Sequence, residues 1–367
     1  MNKMILANLV HRPFRAVISV FAVAVEVTMI LLIVGIMLGM LNDSSQRQAG
    51  VGADILVQPP GASLFLGISG APVSEKLASK IQQLPHVTAV APVVAQLSTS
   101  GNVQVTDGID LTSFEAVGGP LRYFSGGPFT GTDSMIVDDL EAGAKHLQVG
   151  EKVTTLNHEF TITGIVEHGR GARQFVPIAT LQDIIGAKGK ASIFYVKVDK
   201  PENVNPVVHE IKSIPGMEQY GVHSIQEYMS LMSSSSVPGL TTVIRVVIGI
   251  AMVIGFIVIF QAMYAAVMER TREIGILKSL GAGKLYIVNA IMRETLLIAI
   301  GGVIVGIIIS YVAQIFLKSH FRTLPLTITG NWLVRAAIIA IIGSLLGAVY
   351  PAMKAAQKDP IDALAYE

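Results

Sequence analysis

Few residues in this sequence have a claim to chemistry. GAGK at 281–284 is a fragment of a phosphate-binding loop, in which backbone amides cradle phosphate and a hydroxyl holds magnesium. The full pattern is Gly-x-x-x-x-Gly-Lys-Ser/Thr. Lys278 stands where its first glycine belongs and Leu285 where its hydroxyl belongs, so no nucleotide site is read there. His158 and His168 fall on neighbouring candidate strands, but two imidazoles without further donors read as surface histidines rather than a metal site. No nucleophile–base set stands out among the eight histidines and the hydroxyls. With no cysteine, thiol catalysis, disulfides and thiolate-held metals are excluded. The expectation is a chain that is not an enzyme and holds no metal. Glu26 is the exception to this quiet picture. A carboxyl inside an apolar run is disfavoured by about 2.5–3.5 kcal/mol. It can be protonated, paired across a helix interface or facing a polar cavity; a shallow seat on a tilted helix is the plainer reading.

The elements around these residues are set by composition. Half the residues are hydrophobic (51%) and only 14% are charged, which puts the chain among integral membrane proteins. Four runs are long enough to span a bilayer: 16–41, broken only by Glu26, then 246–268, 295–317 and 336–353. Each reads as a helix, because lipid leaves no partner for open backbone groups. The first run is too long for a signal peptide and has no cleavage signal, so it reads as a retained anchor. Lys3, Arg12, Arg15, Arg270, Arg272, Lys278, Lys284, Arg293, Lys354 and Lys358 fall on one side of the membrane. In the short segments beside the spans, only Lys318, Arg322 and Arg335 fall on the other. The positive-inside rule therefore puts both termini and the 269–294 loop in the cytoplasm, and 42–238 outside. A net charge of +1 gives no reason to expect nucleic-acid binding.

The expected boundaries are an interfacial helix at 1–15, bent at Pro13, and spans at 16–41, 239–268, 285–317 and 332–353. An outer domain covers 42–238, a short outer loop 318–331, and a cytoplasmic tail 354–367. The outer stretch is polar and rich in glycine, proline and β-branched residues, as in an α+β domain with its own core. Strands are expected at ADILVQ, VTAVAPVVAQL, KVTTL, EFTITGIVE and SIFYVKV; helices at SEKLASKIQQL, LEAGAKHL, ATLQDIIG and VNPVVHEIKSI. IQQLPHVTAV (81–90) and IKSIPGMEQY (211–220) each end a helix at a proline step and begin a strand. They suggest two similar units in which 42–109 and 191–238 form one lobe and 110–190 an inserted one. HGRGAR (168–173) reads as a solvated basic turn, and MSSSSVPG (232–239) as a connector into the second span.

The charged stretch ERTREIGILKSLGAGK (269–284) lies between two spans. Ile274, Leu277 and Leu280 recur on one helical face, while Glu269 with Arg272 and Arg270 with Glu273 form opposite-charge pairs three residues apart. Gly281 supplies a left-handed helix end and Gly283 a flexible exit. Physical pattern alone gives an interfacial hairpin or a short docking helix. Three spans also carry Gly-x-x-x-Gly: Gly35 and Gly39, Gly302 and Gly306, Gly343 and Gly347, spacings that let helices approach closely.

ERTREIGILKSLGA followed by IMRETLLIAIGGVIVG resembles the permease domain shared by MacB and FtsX, and YPAMKAAQKDPIDAL (350–364) resembles that family's ending. LQVGEKVTTLNHEFTITGIVEHG is similar to MacB-type periplasmic domains. The resemblance covers nearly the whole chain and agrees with the span order. It implies a type VII ABC transporter permease of the bacterial inner membrane, with four transmembrane helices and a large periplasmic domain between helices 1 and 2. It makes 269–284 the coupling helix. Glu269, Arg270, Arg272, Glu273 and Lys278 would face the ATPase, and Ile274, Leu277 and Leu280 would pack on it. MacB carries a fused ATPase, so a separate ATPase subunit is expected to bind ATP and Mg, with no cofactor in this chain. Family members work as dimers, homo- or heterodimeric, which makes Gly35 and Gly39 dimer-contact candidates, with Glu26 as a helix-packing residue. Membrane lipid, and for an exporter a membrane-fusion adaptor and an outer-membrane channel, complete the implied partners. Efflux by mechanotransmission competes with lipoprotein or lipid extraction and with FtsX-like control of cell-wall hydrolases. A tethered receptor without ATPase coupling is the reading from another class.

Overall fold

The structure, a computed structural model, describes residues 13–62, 72–98, 104–232 and 239–358. Most of the expected interfacial segment 1–15, most of the 232–239 connector and the end of the tail lie outside these. The chain separates into two compact units. A helical unit takes the residues up to Met37, Gly239–Leu317 and the residues from Leu326; an α/β unit takes Leu38–Pro238 and Lys318–Pro325.

Helix α1 (Pro13–Gly50) contributes to both units. Pro13 stands at its first position, where a missing N–H is no loss and the fixed φ suits a helix. The expected end at residue 41 is exceeded. The apolar run stops there, but LNDSSQRQAG holds no breaker before Gly50, so the helix continues into the α/β unit. Within that unit the chain runs β1 (Ile55–Gln58), β2 (Val73–Ser74), α2 (Lys76–Gln82), β3 (Val87–Ser98), β4 (Gln104–Ile109) and α3 (Leu111–Gly118). It continues through β5 (Tyr123–Gly126), β6 (Ser134–Asp138), α4 (Asp139–Lys145), β7 (Lys152–Thr155), β8 (His158–Val166), β9 (Gln174–Pro177) and α5 (Ile178–Ile184). The last elements are β10 (Lys190–Ala191), β11 (Ile193–Val198), α6 (Val204–Lys212), β12 (Gly221–Ser224) and α7 (Ile225–Leu231).

One sheet carries the order β12-β1-β11-β3-β4-β9-β6-β8-β5, with β7 paired to β8. Its first five strands come from the flanking blocks and the rest from 110–190. The two sets meet where β4 pairs parallel with β9, Thr106 opposite Gln174. Two apolar clusters follow this division. Ile55, Ile81, Phe194, Val196, Val207 and Ile211 anchor one; Met135, Val137, Phe160, Ile162, Val176 and Leu181 anchor the other. Ile81 and Ile211, which begin the two echoed sequences, share the first cluster. The lobes are thus two cores on one continuous sheet.

The helical unit is completed by α8 (Leu240–Glu269), α9 (Thr271–Ser279), α10 (Lys284–His320) and α11 (Gly330–Gln357). Together with α1, the three long ones are long and apolar enough to cross a membrane. Helix α11 passes the expected boundary at 353 and keeps Pro351 inside it.

The Gly-x-x-x-Gly pairs are seated inside the protomer. A Cβ on Gly306 would stand 2.7 Å from the Ala24 carbonyl oxygen and 2.9 Å from Val27 Cβ, so α10 and α1 touch backbone to backbone there. Thr28 Oγ1 adds a bond to the Gly306 carbonyl at 3.1 Å. Gly347 brings α11 equally close to the Phe256 carbonyl of α8, at 2.8 Å. Gly35 packs on the chain's own Thr327, whose amide donates to the Gly35 carbonyl at 3.0 Å, and Gly39 is buried. The face of Gly35 that a dimer contact needs is therefore taken by segment 326–328. Glu26 is buried against neighbouring helices. Its carboxyl fills the space that a side chain at Gly255 of α8 would need and lies 3.8 Å from the Cβ position of Gly343 on α11, with no hydrogen-bond partner.

Candidate coupling and clamp sites

The loop between α8 and α10 is built around a break at Arg270. Helix α8 stops at Glu269, and Thr271 turns its hydroxyl back to the Met268 carbonyl at 2.8 Å, so α9 starts on a new axis. Gly281, at φ +96°, ends the turn after α9 in a conformation that disfavours a side chain.

The sequence set of contact residues divides when placed on this geometry. Arg270 does not pair with Glu273. Its guanidinium holds Glu294 of α10 at 3.1 and 3.2 Å, with both side chains largely buried (14% and 11% exposed). Sequence spacing missed this pair because its partner lies 24 residues away and on another helix. Lys278 donates to the Ala356 carbonyl at 3.0 Å and to that of Lys358, tying α9 to the end of α11. Ile274 and Leu277 line a small cleft of about 70 Å³ with Met263, Val267, Ile287 and Ile291. Both are half-buried at the rim of this cleft, whereas Leu280, the third of the expected contact residues, is exposed. What α9 and its following turn present outward is Arg272, Glu273, Ile276 and Leu280, the last 80% exposed. Glu269 is exposed at the end of α8. Ile276 was absent from the expected set. The helix has a buried side that fixes it and an outer face with one cation, one anion and two aliphatic groups.

A second site lies in the α/β unit and was not foreseen. The 168–173 turn is not a solvated basic loop. Gly171 N donates to the Arg47 carbonyl and Arg47 Nη1 donates to the Gly171 carbonyl, each at 2.8 Å. Arg173 reaches Asp43 of α1 at 3.3 Å and Asp138 at 3.1 Å. Arg47 also bonds Asp43 at 3.0 Å. Tyr195 Oη, buried in β11, donates to Gln48 Oε1. Gly50 ends α1 where any Cβ would stand 1.8 Å from the Gly169 carbonyl oxygen. The last two turns of α1 are thus held by the sheet through charge-assisted bonds and backbone contact. No motif signals this, since the four contributing stretches are distant in sequence.

Two carboxyls under the clamp are strongly buried. Asp138 also caps α4 by accepting from Glu141 N at 2.7 Å. Burial pushes it up to about 6, against the pull of Arg173. Asp107, on β4, accepts from Ala172 N at 3.1 Å, and burial pushes it up to about 7 despite the Arg47 charge. The histidines singled out for metal binding do not converge. His158 bonds Asp133 at 2.8 Å and His168 bonds Asp139 at 2.9 Å.

Four apolar helices long enough to cross a membrane, a short helix between the second and third, and an α/β unit inserted after the first give the architecture of a membrane permease. Residues 16–214 match the MacB-like periplasmic core domain, and residues 245–360 match the FtsX-like permease C-terminal domain. The chain belongs to the MacB/FtsX family of ABC transporter permeases. It is 23% identical over its whole length to the uncharacterized ABC transporter permease YknZ of Bacillus subtilis (strain 168), covering 98% of that protein. It is 26% identical, over 80% of its length, to the macrolide export ATP-binding/permease protein MacB of Shewanella sp. (strain W3-18-1). The chain spans about half the length of that relative, 48%. Among solved structures, the periplasmic region of MacB from Actinobacillus actinomycetemcomitans aligns with 48% of this chain and 92% of its own, at a TM-score of 0.38 and 14% identity.

Proposed function

We propose that this chain is the transmembrane subunit through which a separate ABC-type ATPase drives movement of the outer α/β unit, most directly for export. The observation that carries the reading is the division of α9. Its buried side is fixed by the Arg270–Glu294 pair and the Lys278 bonds, while Arg272, Glu273, Ile276 and Leu280 face out. A helix that spends its inner charges on holding position and offers an amphipathic outer face suits a groove on a partner. The charges there set register and partner choice, and the aliphatic groups supply contact area. Both termini and α9 lie in the cytoplasm on this reading, following the Lys and Arg distribution. ATP and Mg belong to the partner subunit, and the permease works as a dimer. The relatives named as macrolide exporters favour efflux over lipoprotein extraction or hydrolase control.

The test is co-purification from detergent with the ABC ATPase encoded beside the gene. Wild type is compared with Glu273→Lys combined with Leu280→Asp, two exposed positions. Wild type should retain the ATPase and the variant should lose it while keeping its elution profile. An ATPase held equally by both forms removes α9 as the docking element. If neither form holds one, the coupling reading fails.

A further inference from the structure

The α/β unit carries an open cavity of about 400 Å³ next to the clamp, within the range of roughly 300–1,000 Å³ usual for small-molecule sites. Its lining is mixed. Met40, Leu97, Val105, Phe321 and Pro325 supply apolar groups, and Met40 and Phe321 are 41% and 55% exposed. Arg47, Lys145 and Arg173 line it as well, together with Asp43 and Glu141. An adjoining cleft of about 320 Å³ shares Asp43, Arg173 and Pro325 and adds Lys318 and Arg322.

The charges do not balance. Asp43 is taken by Arg47 and Arg173, and Glu141 by Lys145 at 2.6 Å. Five cations against two carboxylates leave an excess of three positive charges; Asp138, behind Arg173, reduces it to two. Among the described residues neither Lys318 nor Arg322 enters an ion pair. Arg322 lies across α4 at Gly143, where a Cβ would stand 2.9 Å from its Nη1, so the absence of a side chain at 143 is what admits it. A concave site that combines surplus cations with exposed apolar groups matches a ligand with an anionic head and an apolar tail. Chain continuity gives the same answer. Met40–Arg47 and Lys318–Pro325 are the stretches where α1 and α10 change from apolar runs to polar sequence, which is where such a molecule sits in a bilayer.

We propose that this cavity and the cleft adjoining it together bind an anionic amphiphile by its phosphate or carboxylate head, with Lys318 and Arg322 of the adjoining cleft as the head-group cations and Phe321 and Met40 against the tail. The site is independent of the ATPase-coupling reading, because binding is measured on the permease alone.

The experiment is native mass spectrometry and thermophoresis on the full chain in non-ionic detergent. The probes are short-chain phosphatidylglycerol, the matching phosphatidylcholine and inorganic phosphate. The variants are Lys318→Ala with Arg322→Ala, and separately Phe321→Ser; melting curves check that each folds. Phosphatidylglycerol should bind about tenfold or more tightly than phosphatidylcholine. The double variant should lose about tenfold, the scale of one charge-assisted bond, and Phe321→Ser should weaken the lipid but not phosphate. Equal binding of both lipids, or no change in the double variant, overturns the site. Phosphate binding as tightly as the lipid, with Phe321→Ser silent, replaces the amphiphile with a free anion and also overturns the proposal.

Discussion

Asp107 gives the sharpest test of the clamp, because its burial turns pH into a readout of that region. The carboxyl is 2% exposed on β4, and its folded-state value of about 7 stands well above the ordinary 3.8. A raised carboxyl holds its proton more tightly when folded. Its contribution to stability is therefore complete below the unfolded value and is lost as pH rises through about 7. About three pH units at about 1.4 kcal/mol each put the full effect at about 4 kcal/mol. Between about pH 5 and pH 8 Asp107 accounts for a loss of about 3 kcal/mol. Asp138, folded value about 6, adds about 1 kcal/mol in the lower part of that window. Asp107→Asn keeps an oxygen for the Ala172 amide and removes the titration. Hydrogen exchange of the β4 and β9 amides, in the full chain in detergent and corrected for intrinsic rates, reports local stability directly. Wild type should lose about 4 kcal/mol across the window and Asp107→Asn about 1 kcal/mol. An unchanged slope in the variant, or a wild type that gains protection toward high pH, refutes the assignment.

Arg173→Ala should destabilise the α/β unit by about 3–5 kcal/mol, because it strands Asp138 at 2% exposure and takes one of two partners from Asp43. Exchange should rise at residues 43–50 and 134–138; an effect confined to residue 173 and its neighbours removes it from the clamp. Gly306→Ala should destabilise the helical unit by about 1–3 kcal/mol, since its Cβ meets the backbone of α1. Gly301→Ala, whose Cβ meets only Val20 Cγ2 at 3.5 Å, should melt like wild type. Equal melting temperatures for the two alanine variants refute the close approach of α10 to α1.

What sequence reveals here depends on the range of the contact. The spans, the strands at 55–58, 87–98, 152–155, 158–166 and 193–198, and the helices ending near 82 and 212 all declare themselves, because period and breakers are local signals. The short strands β4, β6, β9 and β12 went unread; β4 opens on Gln-Val-Thr-Asp, with an acid that only tertiary burial makes an interior residue. The division of the coupling loop was hidden for the same reason. A stripe of Ile274 and Leu277 is visible in sequence, but whether it faces a partner or its own α10 depends on Arg270 finding Glu294. HGRGAR looks solvated because arginines usually are, yet its glycines let the turn close on α1, Arg170 finds the Gly119 carbonyl and Arg173 the buried Asp138.

The clamp gains meaning from helix α1, which contributes to both units. Helix α1 has 38 residues without a break, about 57 Å at 1.5 Å per residue. Within the helical unit it is held by Gly306 against its backbone and by Glu26 against Gly255. Within the α/β unit its last turns are held by Arg173, the Gly171 backbone and Tyr195. The grips differ in kind. The first relies on close approach of backbones at small residues, with one buried carboxyl among them. The second relies on charge-assisted bonds to buried groups, which resist any shift that would leave a carboxylate unpaired.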